Sequence, residues 1–487
     1  MKKNLVPLLI TTPIYYANAA PHVGSAYTTI ATDVLARFWR SQGRKVFFLT
    51  GTDEHGSKVA EAANKAGVDP QAFVDQQAKV FKAAFEELNI SFNRFIRTTE
   101  SDHVLGVEVF LDKLKKAQTP LGNPAIYEGE YKGLYCQGCE KFITEKELVD
   151  GKCPLHLTVP QHLVENNYFF RLSDYLPDLK KAIVKNKISI FPKTAREEVL
   201  GYFKQGLNDF SISRQNVKWG IPLPFDKSQT AYVWVDALPN YLTGIGFGKN
   251  TSYRNWWRSE VIHFMARDIL KFHAIYWPAL LMAIKEPIPE TIIAHGYFTI
   301  AGKKMSKSLG NVILPSEMIA KYGVDGTRYL LLSAFPFGQD GDLPVDKFAE
   351  KYNADLANGL GNLVSRTTNM VERFLAGKIK PVKPPKSLDK ALGYIAKYQF
   401  SQALNEIWKT IAWANQQIDN AKPWELAKNQ VKADTLKLEG LLNGLVAQLL
   451  EIAKVLKSFM PESCEKIEKI LKAKKILKNL PLFMRVV

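Results

Sequence analysis

The sequence predicts an α/β fold with a parallel sheet, followed by an all-α helical domain. Two short apolar stretches, residues 5–12 and 46–50, have the length and composition of buried strands, and residues 26–41 between them have helical periodicity. Strands that alternate with helices are typical of parallel sheets, whose ligands bind beyond the carboxyl ends of the strands. The last third of the chain is mainly helical in pattern, with amphipathic helices predicted at 355–374 and 392–418 and a basic, proline-rich, non-helical connection at 377–386 between them.

Composition restricts the classes of function. The chain has 487 residues, enough for about three or four domains, and its net charge of +17 favours a polyanionic partner, either nucleic acid or an anionic membrane surface. No apolar run is long enough to span a bilayer.

The start of the chain imitates a secretory signal, but Pro7 interrupts the apolar run and a core strand fits better. Three of the four cysteines cluster, which does not resemble a disulfide framework and predicts a reducing compartment, the cytoplasm.

The turn after the first strand has the features of an anion site. Pro21 suits the start of a helix, so His22 and Gly24 lie near a helix N-terminus, where backbone N–H groups favour anions. Gly24 has no side chain, so a nucleobase could approach the backbone, and His22 could donate a hydrogen bond to a phosphate oxygen. The alternative is a packing glycine beside a surface histidine.

An acidic residue follows the second predicted strand. Asp53 lies in the segment Gly51-Thr52-Asp53-Glu54-His55-Gly56, at a strand end where a ligand would bind. Its carboxylate could pair with an ammonium group, or it could cap the next helix.

Aromatic residues are dense at 232–241 and again after residue 268. Ile269, Phe272, His273 and Tyr276 share one face at helical spacing. Such a stripe forms either part of the core or the wall of a ligand pocket, and the spacing leaves both open.

Two short metal-ligand motifs lie in the middle of the chain. Cys136-x-x-Cys139 and Cys153-x-x-His156 have the spacing of a tetrahedral zinc site with sulfur and nitrogen ligands. Four protein ligands leave no open position, so the predicted zinc is structural. The alternatives are unligated cysteines with a chance histidine, or a redox Cys-x-x-Cys, which would leave Cys153 and His156 unexplained.

A basic, hydroxylated stretch, 303–309, lies between Gly302 and Gly310. Its lysines supply point charges and its serines supply donors, so it could close over a polyphosphate. A solvated surface turn is the alternative.

Together these motifs resemble a known family. Lys304-Met305-Ser306-Lys307-Ser308 and His22-Val23-Gly24-Ser25 resemble the two signatures of class I aminoacyl-tRNA synthetases, with Ser25 in place of the usual second histidine. Segments 13–18, 51–56 and 232–237 resemble the methionyl-tRNA synthetases, and the likeness covers nearly the whole chain.

The resemblance implies a domain organisation. We expect a Rossmann-type catalytic domain in two halves, 1–120 and 193–295, separated by a zinc-knuckle insertion at 121–192. The lysine loop and its connections occupy 296–345, and a helical-bundle anticodon-binding domain occupies 346–487. Because the chain shows no appended tRNA-binding barrel after the bundle, we expect a monomer.

The resemblance also implies roles for single residues. Asp53 would bind the α-ammonium of methionine, and His22, Lys304 and Lys307 would act in catalysis. The methionine pocket would consist of Ile14, Tyr16, Asp53, Trp234, Ala237, Leu238, Tyr241, Ile269, Phe272 and His273. ATP would contact His22, Gly24, Ser25, Asp268, Lys304, Ser306 and Lys307, although Ala266-Arg267-Asp268 stands where the family usually has Gly-Lys-Asp. The tRNA anticodon would be read by Asn362, Arg366 and Trp424.

The implied reaction is the attack of the methionine carboxylate on the α-phosphate of Mg-ATP, followed by transfer of methionine to the 3′ end of tRNA(Met). A carboxylate is already ionised at neutral pH, so no general base is needed and the motifs are basic and glycine-rich. Another class I synthetase, such as the cysteine enzyme, and a tRNA-binding paralogue without ligase activity are the alternatives.

Overall fold

The computed structural model describes residues 6–136, 141–143, 145–154, 157–300, 302–304, 311–428 and 431–486. The chain divides into two compact units. The first unit comprises Met1–Pro21, Gly43–Ala84 and Phe92–His295, and the second comprises His22–Gln42, Phe85–Ser91 and Gly296–Val487. These units combine segments that are distant in sequence, and the five predicted domain ranges remain a prediction.

The strands in chain order are β1 (Leu8–Tyr16), β2 (Val46–Asp53), β3 (Arg94–Arg97), β4 (Ile126–Cys136), β5 (Lys141–Ile143), β6 (Gln161–Phe170), β7 (Ser189–Phe191), β8 (Phe210–Ser211), β9 (Ser213–Arg214), β10 (Pro222–Leu223), β11 (Asp226–Ala231), β12 (Glu260–Ala266), β13 (Thr291–His295), β14 (Phe298–Ile300), β15 (Lys303–Lys304) and β16 (Gly341–Leu343). The α-helices are α1 (Val23–Ser41), α2 (Ser57–Ala66), α3 (Pro70–Glu87), α4 (Ser101–Lys116), α5 (Leu176–Val184), α6 (Lys193–Gln205), α7 (Val233–Ala237), α8 (Asn240–Thr243), α9 (Arg254–Trp257), α10 (Trp277–Ala283), α11 (Pro315–Ser333), α12 (Phe348–Tyr352), α13 (Asn362–Leu375), α14 (Asp389–Ala396), α15 (Phe400–Ala421), α16 (Pro423–Leu426), α17 (Lys432–Leu456) and α18 (Pro461–Leu471). Short 3₁₀ turns occur at Glu145–Glu147, Leu172–Tyr175, Arg267–Ile269 and Val345–Lys347, and π-helical turns occur at Phe272–Tyr276 and Asn353–Gly361.

The first unit is built on a parallel sheet of six strands, in the order β3-β2-β1-β12-β13-β7. Every neighbouring pair in this sheet is parallel. From β1 the order runs through β2 to β3 in one direction, whereas β12 and β13 lie on the other side of β1. The order therefore reverses between β1 and β12, and such a switch point opens a crevice beyond the carboxyl ends of the strands. The prediction of a Rossmann-type parallel sheet is confirmed.

An antiparallel sheet, β5-β4-β6-β8, forms the insertion. Its longest ladder pairs β4 with β6, from Ile126 opposite Phe170 to Tyr135 opposite Gln161. Cys136 ends β4, so the sheet places the first predicted metal ligand at its far end.

The second unit is mainly helical and also holds the small sheet β15-β14-β16. Helix α1 belongs to it together with α11 and the helices of the C-terminal third, so the predicted helical region is confirmed. Within the ranges that the structure covers, no helix is long and apolar enough to cross a membrane.

Several predicted boundaries were wrong. The first strand is Leu8–Tyr16 and not 5–12; its pairing with β2 shifts register between Thr11 and Ile14, around Pro13, which has no N–H to donate. The predicted helix 392–418 is two helices, α14 and α15, separated at Tyr398, whose φ of 63° is left-handed. The predicted helix 355–374 begins as the π-helical turn Asn353–Gly361 and continues as α13.

Candidate functional site

The carboxyl ends of β1 and β2 form one side of the crevice. Tyr16 pairs in register with Asp53, and Ala17 N–H donates to Asp53 O at 2.9 Å. Two residues earlier in β2, a Cβ on Gly51 would lie 2.0 Å from the carbonyl oxygen of Ile96, so only glycine lets β3 pair this closely. The sheet thus holds the Asp53 carboxyl, which is 4% exposed, beside the switch point.

Aromatic side chains from three segments form the wall of this pocket. Trp234 in α7 stacks on Phe272 with ring centres 3.7 Å apart and an angle of 6° between the ring planes, and Tyr16 meets Trp234 edge-on at 6.5 Å. Within the described part of the chain, the buried Nε1 of Trp234 has no hydrogen-bond partner. Ala237 and Leu238, at the end of α7, are buried, and Ile269 packs against the same core.

A hydrogen-bonded chain continues from this wall into the core. His273 Nδ1 lies 2.9 Å from Ile269 O, and the hydroxyl of Tyr241 lies 2.6 Å from His273 Nε2. A carbonyl oxygen only accepts, so Nδ1 carries the hydrogen, Nε2 accepts, and Tyr241 donates. Burial lowers the pKa of His273 to about 4 and raises that of Tyr241. Both groups are therefore neutral at pH 7, which suits an uncharged ligand side chain.

A second buried network lies in the same unit, and the sequence motifs gave no role to its members. Asp236 Oδ2 is 2.7 Å from His55 Nδ1, and Asp236 Oδ1 is 2.9 Å from His103 Nε2. Thr243 bonds the other nitrogen of His103 at 2.8 Å. Burial alone would raise the pKa of Asp236, but the two histidines hold it at about 2; burial would lower the pKa of His55, but Asp236 raises it.

This network joins the segment that carries Asp53, the helix that carries Trp234, and the helix that carries Tyr241. A signal was present in the sequence, because Asp236 is an acid inside a short run of apolar and aromatic residues, Tyr232–Ala237. A buried acid of this kind requires hydrogen-bond partners. The partners themselves come from other parts of the chain.

The first predicted ATP motif starts α1 in the second unit. His22 caps the helix: its Nδ1 accepts the backbone N–H of Gly24 at 3.0 Å, so the neutral ring carries its hydrogen on Nε2. A Cβ on Gly24 would lie 2.6 Å from His22 Cε1, so glycine is required for this cap. The Ser25 hydroxyl donates to His22 O at 2.7 Å and accepts from His22 N–H at 3.1 Å. Ser25 thus completes the cap, and its predicted contact with ATP remains a prediction.

The segment after the lysine loop lies next to this cap. Val23 N–H, the first of α1, donates to Ile313 O at 3.0 Å. Lys304 lies in β15, paired with Thr299 of β14, while Ser306 and Lys307 are outside the described residues. In the first unit, Asp268 is exposed in a 3₁₀ turn, and the neighbouring Arg267 forms an ion pair with Glu198.

Two of the four predicted zinc ligands are described. Cys136 and Cys153 are each 1% exposed and lie in one small buried cluster with Ile143. The other two, Cys139 and His156, lie outside the described residues. In what the structure describes, no group of three or more potential ligands could hold a metal ion, so the zinc site remains a prediction.

The predicted anticodon residues lie on the surface of the helical region. Asn362 and Arg366 are one turn apart on α13, so they share a face. Arg366 forms an ion pair of 2.6 Å with Asp419, near the end of α15. Trp424, five residues further on, is 43% exposed, so its ring is accessible at the surface.

Comparison with known proteins gives one consistent result. A family model described as tRNA synthetases class I (M) matches residues 8–162 and 155–368. The chain is 42% identical to the methionine–tRNA ligase of Clostridium acetobutylicum, over 94% of this chain and 72% of that relative. It is also 42% identical to the enzyme of Fusobacterium nucleatum, over 99% and 76% of the two chains. The solved structure of Mycobacterium tuberculosis methionyl-tRNA synthetase in complex with methionyl-adenylate matches with a TM-score of 0.90 and 37% identity, over 99% of this chain and 100% of that chain.

Proposed function

Because the chain belongs to the methionine–tRNA ligases, a family of class I aminoacyl-tRNA synthetases, we propose that the crevice at the switch point of its parallel sheet is the site that selects methionine. The enzyme activates L-methionine with ATP, which yields methionyl-adenylate and pyrophosphate, and then transfers methionine to tRNA(Met). We further propose the following residue roles, metal sites and compartment.

The observation that carries the proposal for methionine is the neutral aromatic pocket beside a buried carboxylate. Asp53 binds the α-ammonium through a charge-assisted hydrogen bond. Tyr16, Trp234 and Phe272 enclose the thioether, whose polarizable sulfur makes favourable contacts with aromatic rings. A hydrophobic pocket distinguishes one methylene by only about 1–3 kcal/mol, so shape and the Tyr241–His273 pair both contribute to selectivity.

For ATP, the cap of α1 supports two contacts. The Nε2–H of His22 donates to a phosphate oxygen, and the absence of a side chain on Gly24 lets the nucleotide approach the helix N-terminus. Lys304 and Lys307 neutralise charge on the triphosphate as pyrophosphate leaves, and Ser306 and Asp268 are further proposed contacts of ATP. Mg²⁺ accompanies ATP and supplies further positive charge to its phosphates.

A structural zinc ion in the insertion is supported by its donor set. Cys136 and Cys153 bury their thiols in one cluster, and thiolates are preferred zinc ligands. Cys139 and His156 would complete a closed site, which stabilises the insertion and takes no part in the chemistry. The enzyme acts in the cytoplasm as a monomer.

For the tRNA, the surface of α13 and α16 supplies the recognition groups. Trp424 stacks on an unpaired anticodon base, and Asn362 and Arg366 read base edges. The exposure of Trp424 and the shared face of the other two support this assignment.

The test is amino-acid-dependent ATP–pyrophosphate exchange. We expect strong exchange with methionine and little with isoleucine or cysteine; equal exchange with either would contradict the proposal. Asp53→Asn raises the KM for methionine and leaves the KM for ATP unchanged, whereas the control Asp102→Asn, which removes an exposed ion pair with Lys249, changes neither. A paralogue without ligase activity would form no adenylate in a single turnover.

A further inference from the structure

A fully buried ion pair lies among residues to which no substrate has been assigned. Arg328 in α11 and Asp33 in α1 are each 0% exposed, and Arg328 Nη2 lies 2.7 Å from Asp33 Oδ2. Burial alone would raise the pKa of Asp33, but Arg328, Arg37 and the hydrogen bonds from Ser91 outweigh it and hold that pKa below its ordinary value. The carboxyl is therefore ionised in the interior, where a charge needs complete hydrogen bonding.

Arg328 also donates to three backbone carbonyl groups. Nε lies 2.7 Å from Phe459 O, Nη1 lies 3.1 Å from Leu88 O, and Nη2 lies 3.1 Å from Ser458 O. Only the planar guanidinium fork presents donors in so many directions, because a lysine has its three N–H groups on one atom. One side chain thus bonds the two residues at 458–459, just after α17, and Leu88, just after α3.

Asp33 binds a second set of donors. Its Oδ2 accepts from Arg37 Nε at 2.7 Å, and its Oδ1 accepts from the backbone N–H and the hydroxyl of Ser91 at 2.8 and 2.6 Å. Arg40, one turn further along α1, also bonds Ser91, at 2.6 Å. The position of α1 is therefore set by polar contacts on both sides of Asp33.

The two helices joined by this pair adjoin the nucleotide motifs. Helix α1 begins directly after His22, and α11 begins at Pro315, a few residues after the lysine loop. We propose that Arg328 is a positioning residue for methionine activation: its ion pair holds α1, and with it His22 and Gly24, in register with the segment that follows the lysine loop. The assignment rests on the proposed function.

Arg328→Lys is the decisive variant, because it keeps the charge and loses most of the hydrogen bonds. We expect the turnover number of methionine-dependent exchange to fall about 10–100-fold, since small displacements of a reacting group have effects of this size. The KM for methionine stays unchanged, because the methionine pocket belongs to the other compact unit. Ser91→Ala removes one donor to Asp33 and gives a smaller loss in the same direction.

A matched control variant separates an effect on the position of α1 from a general loss of stability. Leu445→Ala opens a cavity in α17, in the same unit and outside the hydrogen-bond network, and we expect lower stability with normal turnover well below the unfolding temperature. A readout independent of catalysis is hydrogen–deuterium exchange at residues 22–30, which becomes faster in Arg328→Lys and not in Leu445→Ala.

Two results would overturn the inference. The first is that Arg328→Lys keeps wild-type turnover and wild-type amide protection. The second is that Leu445→Ala, when it is destabilised as much as Arg328→Lys, shows the same loss of turnover and the same faster amide exchange. An unmodified enzyme without methionine-dependent exchange would contradict the proposed function instead. In that case the amide exchange at 22–30 still decides whether Arg328 positions α1.

Discussion

Tyr241→Phe removes one hydroxyl group from the methionine pocket and leaves the ring in place. That hydroxyl donates to Nε2 of His273, whose Nδ1–H is already bound to Ile269 O, so the imidazole cannot turn to find another donor. A buried acceptor left without a donor costs about 1–3 kcal/mol. We expect water to supply the missing hydrogen bond when the pocket is empty and to be displaced when methionine binds. The penalty therefore falls on the methionine complex.

The expected result is a loss of about 5–150-fold in kcat/KM for methionine, the rate equivalent of about 1–3 kcal/mol, with an unchanged KM for ATP. Pyrophosphate exchange at saturating ATP with varied methionine measures it. Tyr253→Phe is the matched control: it also removes a buried tyrosine hydroxyl, which donates to Glu286 at 2.7 Å in the same unit. If both variants lose the same amount of methionine kcat/KM, the hydroxyl of Tyr241 acts only through stability and our reasoning is refuted.

Three further predictions concern the pH dependence, the lysine loop and the tRNA. Burial lowers the pKa of His273 to about 4 in the folded state, whereas the ordinary pKa in the unfolded state is 6.5. Below about pH 6.5 the unfolded state therefore binds more protons than the folded state, and the free energy of unfolding decreases as the pH is lowered. Between about pH 7 and about pH 5, urea unfolding should show a loss of about 2 kcal/mol in the wild type that is absent in His273→Gln. Asp342 accepts hydrogen bonds from Thr299 and from Gly302 N–H, in the turn before the lysine loop, so Asp342→Ala lowers exchange turnover more than it changes the KM for methionine, and the exposed control Asp346→Ala does neither. Trp424→Ala weakens aminoacylation of tRNA by the equivalent of about 1–3 kcal/mol and leaves adenylate formation unchanged; an equal fall in both would make Trp424 structural.

The sequence predicted those features whose causes are local. Apolar runs and helical periodicity gave the parallel sheet and α1, and Pro21 with Gly24 placed the helix start within two residues. The break at Tyr398 was missed because no glycine or proline marks it. The role of Ser25 as both donor and acceptor in the helix cap was not predicted either, because a serine at that position is equally consistent with a contact to a ligand.

Features that depend on several distant segments could not be predicted. His55, His103 and Asp236 meet only because the strand order of the sheet brings their segments together. Arg328 lies in a helix with several polar residues, where the periodicity gives no reason to bury it. In both cases the chemistry of the residue is ordinary, and its importance comes from the partners that the fold supplies.

The π-helical turn Phe272–Tyr276 has a consequence for the evolution of the pocket. In this wide turn, the backbone N–H of Trp277 donates to Phe272 O, five residues earlier, whereas a regular α-helix joins residues four apart. Deleting one residue here would restore a regular helix and rotate everything beyond it by about 100°. The wide turn therefore lets one continuous helical segment contribute to two surfaces, the ligand wall and the core under α10, that a uniform helical repeat would not satisfy together.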